Sequence, residues 1–336
     1  MPSSSDGQLT LGVIGSGFAA RTLVAAATAS SCVRDVLIAG GSGVVDLCRR
    51  YGADSRATVG DLLGAVDAVA VATPHADHAW LVGKAIEAGV HVFCEKPFVT
   101  DSADGARLIR AAADRGLTLS VNHFQRYRTP HQAVADLLED GGLRLYGGQA
   151  RLLEHAGPES WKAETRNRGF MLGYGIHAVD LLHAWVHTDC VEVTARSLWI
   201  HEVERATAAV LRFAGGQEFS IFASDLVASA DPRVQPGRAQ LAFELLTPAG
   251  ILQVDSYGAT VLYRGESAEE LGRLDTWDDF DSPVRLSAYQ SALDQFVSAC
   301  LTGEEPVLTA TAALHAVQVC EAIHESALRE GKRVCV

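Results

Sequence analysis

The sequence predicts an α/β protein of two domains, a doubly wound parallel sheet followed by an α+β domain whose open sheet is mainly antiparallel. Three observations support this. The 336 residues exceed the usual size of one core. In residues 1–125, apolar strand-like runs alternate with segments of helix length, which is typical of parallel βαβ units. In residues 126–336, strand-like runs follow one another, and several alternate polar with apolar residues, as antiparallel strands with one exposed face do.

The composition is that of an ordinary globular protein with an acidic balance. The formal net charge of -13 argues against nucleic acid and membrane surfaces as partners, because both attract basic proteins. The first eight residues lack the regions of a signal peptide, and no apolar run approaches the roughly 20 residues that span a bilayer. Seven scattered cysteines favour reduced thiols in a cytoplasmic protein. The twelve histidines show no metal-ligand spacing, so no metal is expected.

A glycine-rich turn follows the first predicted strand, Leu9 to Ile14, and opens a helical segment from Arg21 to Ala29. The turn has the GxGxxA pattern and reads Gly15-Ser16-Gly17-Phe18-Ala19-Ala20. Its small residues let the backbone approach a pyrophosphate, which the free N–H groups and positive dipole end of the helix would hold. The turn therefore predicts a dinucleotide site rather than a merely tight turn.

The second predicted strand, Val36 to Ala39, bears on which dinucleotide binds. NAD-binding folds usually place an acid at the end of this strand to hold the adenosine ribose. Here the strand runs into Gly40-Gly41-Ser42-Gly43, where Ser42 and glycine amides could bind a ribose phosphate, and Arg49 and Arg50 lie farther along the next helix. The sequence thus favours NADP(H), with NAD(H) as the alternative and a plain glycine-rich loop as the simplest explanation.

Two further predicted strands end in polar residues. Asp67 to Ala72 runs into Thr73-Pro74-His75, and the strand after Gly89 ends in Glu95-Lys96-Pro97. The second motif places an acid, a base and a proline at the carboxyl edge of the sheet, where open α/β sheets bind ligands. A lysine there can move a proton if its surroundings lower its pKa from about 10.4. The remaining elements predicted for this domain are helices from Ala76 to Ala88 and Ser102 to Arg115, and a strand from Thr118 to Asn122.

The second half is predicted to contain six strands and two long helices. His177 and Asp180 fall on a helical spacing between the first two strands, so they can share a face. The predicted strands are Leu143 to Leu153, Val191 to Trp199, Thr207 to Phe213, Gln217 to Ser224, Gln240 to Thr247 and Gly250 to Ser256. The chain is predicted to end with helices from Leu286 to Leu301 and Thr309 to Arg329 and a strand from Val334 to Val336.

Three motifs together resemble the Gfo/Idh/MocA oxidoreductase family, over nearly the whole chain. The motifs are Thr73-Pro74-His75-Ala76-Asp77-His78, Ala88-Gly89-Val90-His91-Val92-Phe93-Cys94-Glu95-Lys96-Pro97 and Arg126-Tyr127. The resemblance implies an N-terminal Rossmann domain and NAD(P)-dependent dehydrogenation of sugars, cyclitols and related compounds. It also implies that the last helices pack back towards the first domain, and that the open sheet associates subunits into a homodimer or homotetramer.

The resemblance assigns roles to the residues of the first domain. Gly15, Gly17 and Ala20 would form the pyrophosphate turn. Residues lining the nicotinamide side would be Thr73, Pro74 and His78, with His75 a small departure from the asparagine often found there. Glu95 would meet the nicotinamide ribose, and Lys96 would lie between cofactor and substrate, before a cis bond to Pro97.

A second family signature has an Asp and a His four positions apart, which complete a catalytic group with the lysine. This chain keeps His177 but has Gly173 in place of the Asp. Hydride transfer at a carbon bearing oxygen requires a proton to move on that oxygen, and a histidine with a reference pKa near 6.5 suits this task. The lost carboxylate leaves Tyr174 or Asp180 to compensate, or the chemistry has shifted.

The sequence therefore predicts an NADP(H)-preferring oxidoreductase acting on a sugar, a keto-deoxysugar or a cyclitol. Lys96 and His177 are the expected proton-handling pair. The candidate substrate contacts are Arg126, Trp161, Tyr174, His177 and Asp180. Gly173 keeps two alternatives open, a non-catalytic NAD(P)-binding sensor and an imine reductase variant of the same fold.

Overall fold

A computed structural model describes residues 7–140, 143–154, 169–227, 239–274 and 282–336. The proposed substrate contact Trp161 lies outside these residues. By their contacts, the described residues form two compact units. The first unit comprises Met1–Phe124 and Phe280–Leu314, and the second comprises Gln125–Asp279 and His315–Val336.

The first unit contains a six-stranded parallel sheet. Its strands and helices up to residue 122 are β1 Leu9–Ile14, α1 Phe18–Ala29, β2 Val33–Ala39, α2 Val44–Tyr51, β3 Asp54–Ser55, α3 Val59–Leu63, β4 Ala68–Val71, α4 His78–Glu87, β5 His91–Glu95, α5 Ser102–Ala113 and β6 Leu119–Asn122. The strand order is β3-β2-β1-β4-β5-β6, and every neighbouring pair is parallel. The predicted doubly wound sheet is thus confirmed.

The order of this sheet fixes where a ligand can bind. From β1 the chain moves to β2 and β3 on one side and then returns to β4 on the other side. At such a switch point the connections after β1 and β4 diverge, which leaves a crevice outside the carboxyl ends of the strands. The sequence motifs that follow β1, β4 and β5 therefore face one edge. β1, β4 and most of β5 are buried, as strands covered on both faces are.

The second unit is built on a nine-stranded sheet. Its elements up to residue 273 are α6 Thr129–Asp140, β7 Gly147–Glu154, α7 Ile176–Val186, β8 Cys190–Ile200, β9 Val203–Phe213, β10 Glu218–Ser224, β11 Ala239–Thr247, β12 Gly250–Asp255, β13 Ala259–Arg264 and β14 Ser267–Arg273. With β15, Val334–Cys335, at one edge, the strand order is β14-β13-β12-β11-β7-β10-β9-β8-β15, and among these described strands only the β7–β10 pair is parallel. This confirms the mainly antiparallel sheet. Buried Phe219 and Ile221 alternate with exposed Ser220 and Phe222 along β10, as one open face requires.

The chain ends with α8 Pro283–Thr302, α9 Ala310–Leu328 and β15 Val334–Cys335. α8 belongs to the first unit, where Asp294 accepts a 2.6 Å hydrogen bond from Ser30 at the end of α1, and Phe296 stacks on Phe93 of β5. Most of α9 belongs to the second unit, where β15 pairs with β8. None of the helices in the described ranges has both the length and the apolarity that a bilayer span needs.

Several elements differ from the sequence prediction. α1 begins at Phe18 rather than Arg21, so the last three residues of the glycine-rich pattern are its first turn. The segment predicted as one helix from Ala76 is a 3₁₀ turn, His75–Asp77, that continues into α4. The elements that the sequence did not indicate are β3, α3, α6, β13 and β14, of which β3 has two residues and α3 five.

Candidate functional site

The glycine turn after β1 can be built only with glycine at its first position. Gly15 has φ +120, and a Cβ there would lie 2.4 Å from the carbonyl oxygen of Ala72. Gly17, which precedes α1, has open space where a side chain would be. The N–H of Arg21 donates to the carbonyl oxygen of Gly17. The N–H groups before it, in the first turn, have no carbonyl acceptor within the helix. The turn thus presents backbone donors and a positive helix end to the crevice, as a pyrophosphate requires.

A second glycine-rich loop, Gly40 to Gly43, packs against this turn. Gly43 donates its N–H to the hydroxyl of Ser16 at 3.0 Å, and a Cβ on Gly41 would collide with that hydroxyl. Ser42 is exposed at the tip, and no carboxylate ends β2. The loop that would receive the adenosine ribose is therefore fixed to the pyrophosphate turn and lacks negative charge. In α2, the exposed Arg49 pairs with Asp46 at 3.3 Å.

His78 connects the loops that follow β4 and β5. Its ring is fully buried, with Nδ1 2.8 Å from the carbonyl oxygen of Pro97 and Nε2 3.0 Å from that of Thr73. Burial lowers the pKa of His78, although the two carbonyls act in the opposite direction. The ring therefore contacts both predicted nicotinamide-side loops and, when neutral, donates its single N–H to one of the two carbonyls. His75 lies edge-on to it.

Glu95 ends β5 as a buried carboxylate held on both oxygens. Asn122 at the end of β6 donates to Oε1 at 2.7 Å, and the N–H of Lys96 donates to Oε2 at 3.2 Å. Asn122 is the register partner of Glu95 in the sheet, which explains why the two side chains meet. Burial raises the pKa of Glu95, and the Lys96 charge and the hydrogen bonds only partly offset this. The peptide bond between Lys96 and Pro97 is cis.

Two buried oxygens at this edge have no hydrogen-bond partner within the described ranges. They are Thr73 Oγ1 and Asn122 Oδ1, which follow β4 and end β6. A buried acceptor or hydroxyl without a partner costs about 1–3 kcal/mol, so such groups call for a ligand or water. Together with the glycine turn, they fit a dinucleotide laid along the carboxyl ends of the strands.

In the second unit, a π-helical turn, Met171–Gly175, leads into α7. Glu204 of β9 holds its beginning: Oε2 accepts the N–H of Met171 at 2.7 Å, and Oε1 accepts the hydroxyl of Thr207 at 2.6 Å. Since Thr207 gives its proton to Glu204, the 2.7 Å contact between Ser197 and Thr207 must use the Ser197 proton. Burial raises the pKa of Glu204. π-Helical turns within α-helices often occur at functional sites.

The π-helical turn places Tyr174 beside His177, both of them buried. Their rings meet edge to face at 5.3 Å, and the Tyr174 hydroxyl lies 3.0 Å from that of Tyr257, in the turn between β12 and β13. Burial, followed by Tyr257, raises the pKa of Tyr174 well above its ordinary value, so its hydroxyl stays protonated. Gly173 lies buried in the same turn and brings no carboxylate near His177.

Arg126 and Asp180 form a two-pronged ion pair. Nε donates to one carboxylate oxygen at 2.9 Å and a terminal nitrogen donates to the other at 2.5 Å. Asp180 is buried, whereas Arg126 keeps about a fifth of its side chain exposed, 19%. Both were predicted as substrate contacts; the structure brings them together and commits the Asp180 carboxylate to Arg126.

Sequence patterns did not point to three of the residues that organise these surfaces, Asn122, Glu204 and Tyr257. Asn122 could have been found from the parallel register, because it ends the strand beside β5. Glu204 and Tyr257 meet the π-helical turn from 33 and 83 residues away, so no local pattern shows them.

The fold and the turn after β1 define a dinucleotide-binding protein with an α+β second domain. Comparison with known families agrees. Residues 9–123 match the model of the oxidoreductase family with an NAD-binding Rossmann fold, and residues 131–244 match the GFO/IDH/MocA C-terminal domain. The chain belongs to the Gfo/Idh/MocA family of oxidoreductases.

Curated relatives include enzymes of sugar chemistry. The chain is 26% identical to 1,5-anhydro-D-fructose reductase from Ensifer adhaerens over 75% of this chain and 77% of the relative. It is 32% identical to UDP-N-acetylglucosamine 3-dehydrogenase from Acidithiobacillus ferrooxidans over 41% of this chain and 42% of the relative. Among solved structures, GenD2 from gentamicin A biosynthesis, in complex with NAD, matches with a TM-score of 0.82 at 24% identity over 100% of this chain and 99% of that chain. At that identity the structural match shows the shared fold.

Proposed function

We propose that the protein transfers a hydride between NADP(H) and a carbon bearing oxygen in a sugar, a keto-deoxysugar or a cyclitol, with NAD(H) as the alternative cofactor. The observation that carries this proposal is the carboxyl edge of the first sheet. The glycine turn at Gly15, the buried His78 and the Glu95–Asn122 pair lie there, at the ends of adjacent strands. The names of the curated relatives support the substrate class.

Cofactor binding would use the carboxyl edge of the first sheet. The turn Gly15 to Ala20 would hold the pyrophosphate by backbone donors, and Ser42 would take the ribose phosphate. The residues proposed for the nicotinamide side are Thr73, Pro74, His75, His78 and Pro97. Glu95, oriented by Asn122, would accept hydrogen bonds from the ribose hydroxyls. When bound, the nicotinamide supplies or accepts the hydride.

The oxygen of the substrate must gain or lose a proton as the hydride moves. We assign this task to Lys96 and His177. Tyr174, whose hydroxyl stays protonated, and the Arg126–Asp180 pair would position the ring hydroxyls. The Tyr174 ring lies against His177 where Gly173 offers no carboxylate, and this contact favours Tyr174 as the compensating group.

The direct test measures NADPH and NADH binding by fluorescence, and cofactor oxidation against a panel of keto-sugars and inososes. We expect binding and turnover of at least one panel member, with turnover lost in Lys96→Ala and binding retained. Lys96→Arg is the matched control. It keeps the positive charge but cannot transfer the proton, so it should bind the cofactor and lose turnover as well. If neither cofactor binds, the assignment of the glycine turn is wrong.

A second candidate function, a non-catalytic NAD(P)-binding sensor, is favoured by one observation, Gly173 in place of the catalytic Asp. Cofactor binding without turnover of any panel member would support this function. An imine reductase would also leave the panel untouched, so cyclic imines belong in the same screen; turnover of an imine separates the two.

The cofactor preference can be tested at one exposed side chain, Ser42. In Ser42→Asp, a carboxylate would meet the 2′-phosphate of NADPH, and we expect NADPH affinity to fall roughly tenfold, because one such like-charge contact costs about 1 kcal/mol or more. NADH affinity should hold or rise. Ser42→Asn, of similar size and uncharged, is the control. If both substitutions lowered NADPH affinity equally, the 2′-phosphate would not lie at Ser42.

A further inference from the structure

Three potential metal ligands, His183, Asp189 and His315, lie together in the second unit. His183 is in the last turn of α7, Asp189 directly precedes β8, and His315 is in α9. Asp189 Oδ1 is 3.1 Å from His183 Nε2 and 3.9 Å from His315 Nε2, and all three ligand atoms lie within 4.8 Å of one another. The two imidazole rings are 4.9 Å apart.

The backbone around this cluster is fixed by hydrogen bonds. His187 caps the carboxyl end of α7, with the left-handed φ of 57, and donates its N–H to the carbonyl of His183. The chain then reverses, so that Asp189 returns to the side chain of His183, six residues earlier. Ala214 donates its N–H to the carbonyl of Asp189 at 2.9 Å, which ties this residue to the end of β9. The backbone position of Asp189 is therefore set by the fold.

The protonation state of His315 suits a metal ligand. Cys190 donates its N–H to His315 Nε2 at 3.1 Å, so this nitrogen carries a lone pair and the ring proton is on Nδ1. Metal binding requires a neutral imidazole. A cation must compete with the Cys190 amide, so we expect weaker binding than at a four-ligand structural site.

We propose that His183, Asp189 and His315 bind a borderline divalent transition-metal ion such as Zn²⁺. Two imidazole nitrogens and a carboxylate oxygen are ligands that this ion prefers. With ligand bonds of about 2.0–2.1 Å, tetrahedral ligand atoms lie roughly 3.3 Å apart. The two distances from the Asp189 carboxylate to the histidine nitrogens, 3.1 and 3.9 Å, bracket this value. Asp189 is 71% exposed, which leaves an entry path and a fourth position for water.

The site would join α9 to the turn between α7 and β8. Local spacing gave no sign of it, because the two histidines are 132 positions apart, from 183 to 315. The proposal is independent of the proposed enzymatic function, since it uses none of the residues assigned to cofactor or substrate.

The test uses the full-length protein, treated with EDTA, dialysed, and titrated with Co²⁺ under a non-chelating reductant. We expect one Co²⁺ per chain with visible d–d absorption, its displacement by Zn²⁺, and a higher melting temperature with Zn²⁺. His183→Gln and His315→Gln should each weaken binding at least tenfold. The second retains an acceptor for the Cys190 amide, so the fold should persist, as circular dichroism can verify.

His201→Gln is the matched control, because His201 is an exposed histidine in the turn between β8 and β9. It should bind Co²⁺ as the parent protein does. Absence of stoichiometric binding would reduce the cluster to a histidine–aspartate hydrogen bond and overturn the proposal. Unchanged binding in both His183→Gln and His315→Gln would overturn it as well, by assigning the ion to other ligands.

Discussion

At the scale of single residues, the buried Glu95 should make stability depend on pH. Its folded pKa is raised above the ordinary 4.5 by burial. A carboxyl group of this kind favours the folded state fully when protonated, below pH 4.5, and this contribution is lost as pH rises through the folded pKa. The glutamine of Glu95→Gln does not ionise, so this variant does not lose stability in that way. Its free energy of unfolding should therefore increase relative to that of the parent as pH rises.

The measurement is urea unfolding of both proteins between pH 4.5 and 8. The difference in unfolding free energy, variant minus parent, should increase over this range. Glu139→Gln, at an exposed glutamate of α6, controls for the loss of one acidic group from a chain of net charge -13. Parallel curves for Glu95→Gln and its parent would show that Glu95 ionises in the folded state as it does in the unfolded chain.

What could be predicted at this scale depended on how local the interaction is. Gly15, Lys96 and Pro97 stand in contiguous motifs whose residue types indicate a function. They could therefore be predicted from the sequence. The sequence placed Arg126 and Asp180 as separate substrate contacts, because they are 54 positions apart and no local pattern shows that they pair. A long-range ion pair follows from packing, which a one-dimensional pattern does not contain.

At the scale of elements, the π-helical turn Met171–Gly175 depends on one carboxylate in another strand. Glu204 accepts hydrogen bonds from Met171 N–H and from the hydroxyl of Thr207 with separate oxygens. Glutamine offers only one acceptor oxygen and turns its NH₂ towards one of these donors. We therefore expect Glu204→Gln to lower the free energy of unfolding by about 1–3 kcal/mol.

The same substitution separates the two units by function. Glu204 supports the turn that carries Tyr174 and leads into His177 of α7, so kcat should fall while the Kd of NADPH stays unchanged. Glu202→Gln, at an exposed glutamate in the adjacent β8–β9 turn, should alter neither quantity. A weaker NADPH Kd in Glu204→Gln with normal kcat would contradict this assignment.

The elements that could be predicted were those with a regular pattern of apolar residues. The fully apolar β4 and the alternating β10 were found because burial on two faces or on one leaves a clear pattern. β14 was missed since its sequence, Ser267–Arg273, is polar and largely exposed at the edge of the sheet. The start of α1 was placed three residues late, because Phe18, Ala19 and Ala20 were counted as turn residues although they already form the helix.

At the scale of the whole molecule, the open face of the second sheet should set the oligomeric state. Leu246, Ile251 and Tyr263 are cross-strand neighbours on β11, β12 and β13, and all three are exposed. Directly opposite residues in antiparallel strands share a face, so these side chains form a continuous apolar row. Contiguous exposed apolar surface marks sites of protein–protein association.

We expect the protein to be a homodimer or homotetramer through this row. Light scattering should give a multiple of the 35.7 kDa chain mass, and Ile251→Arg, at the centre of the row, should shift the mass towards that of one chain. Trp80→Arg, at an exposed aromatic residue of α4, is the control and should leave the mass unchanged. A parent protein with the mass of a single chain would refute the assignment. An oligomer unaffected by Ile251→Arg would move the interface away from this row, because an arginine desolvated in an apolar contact without a partner would not be tolerated.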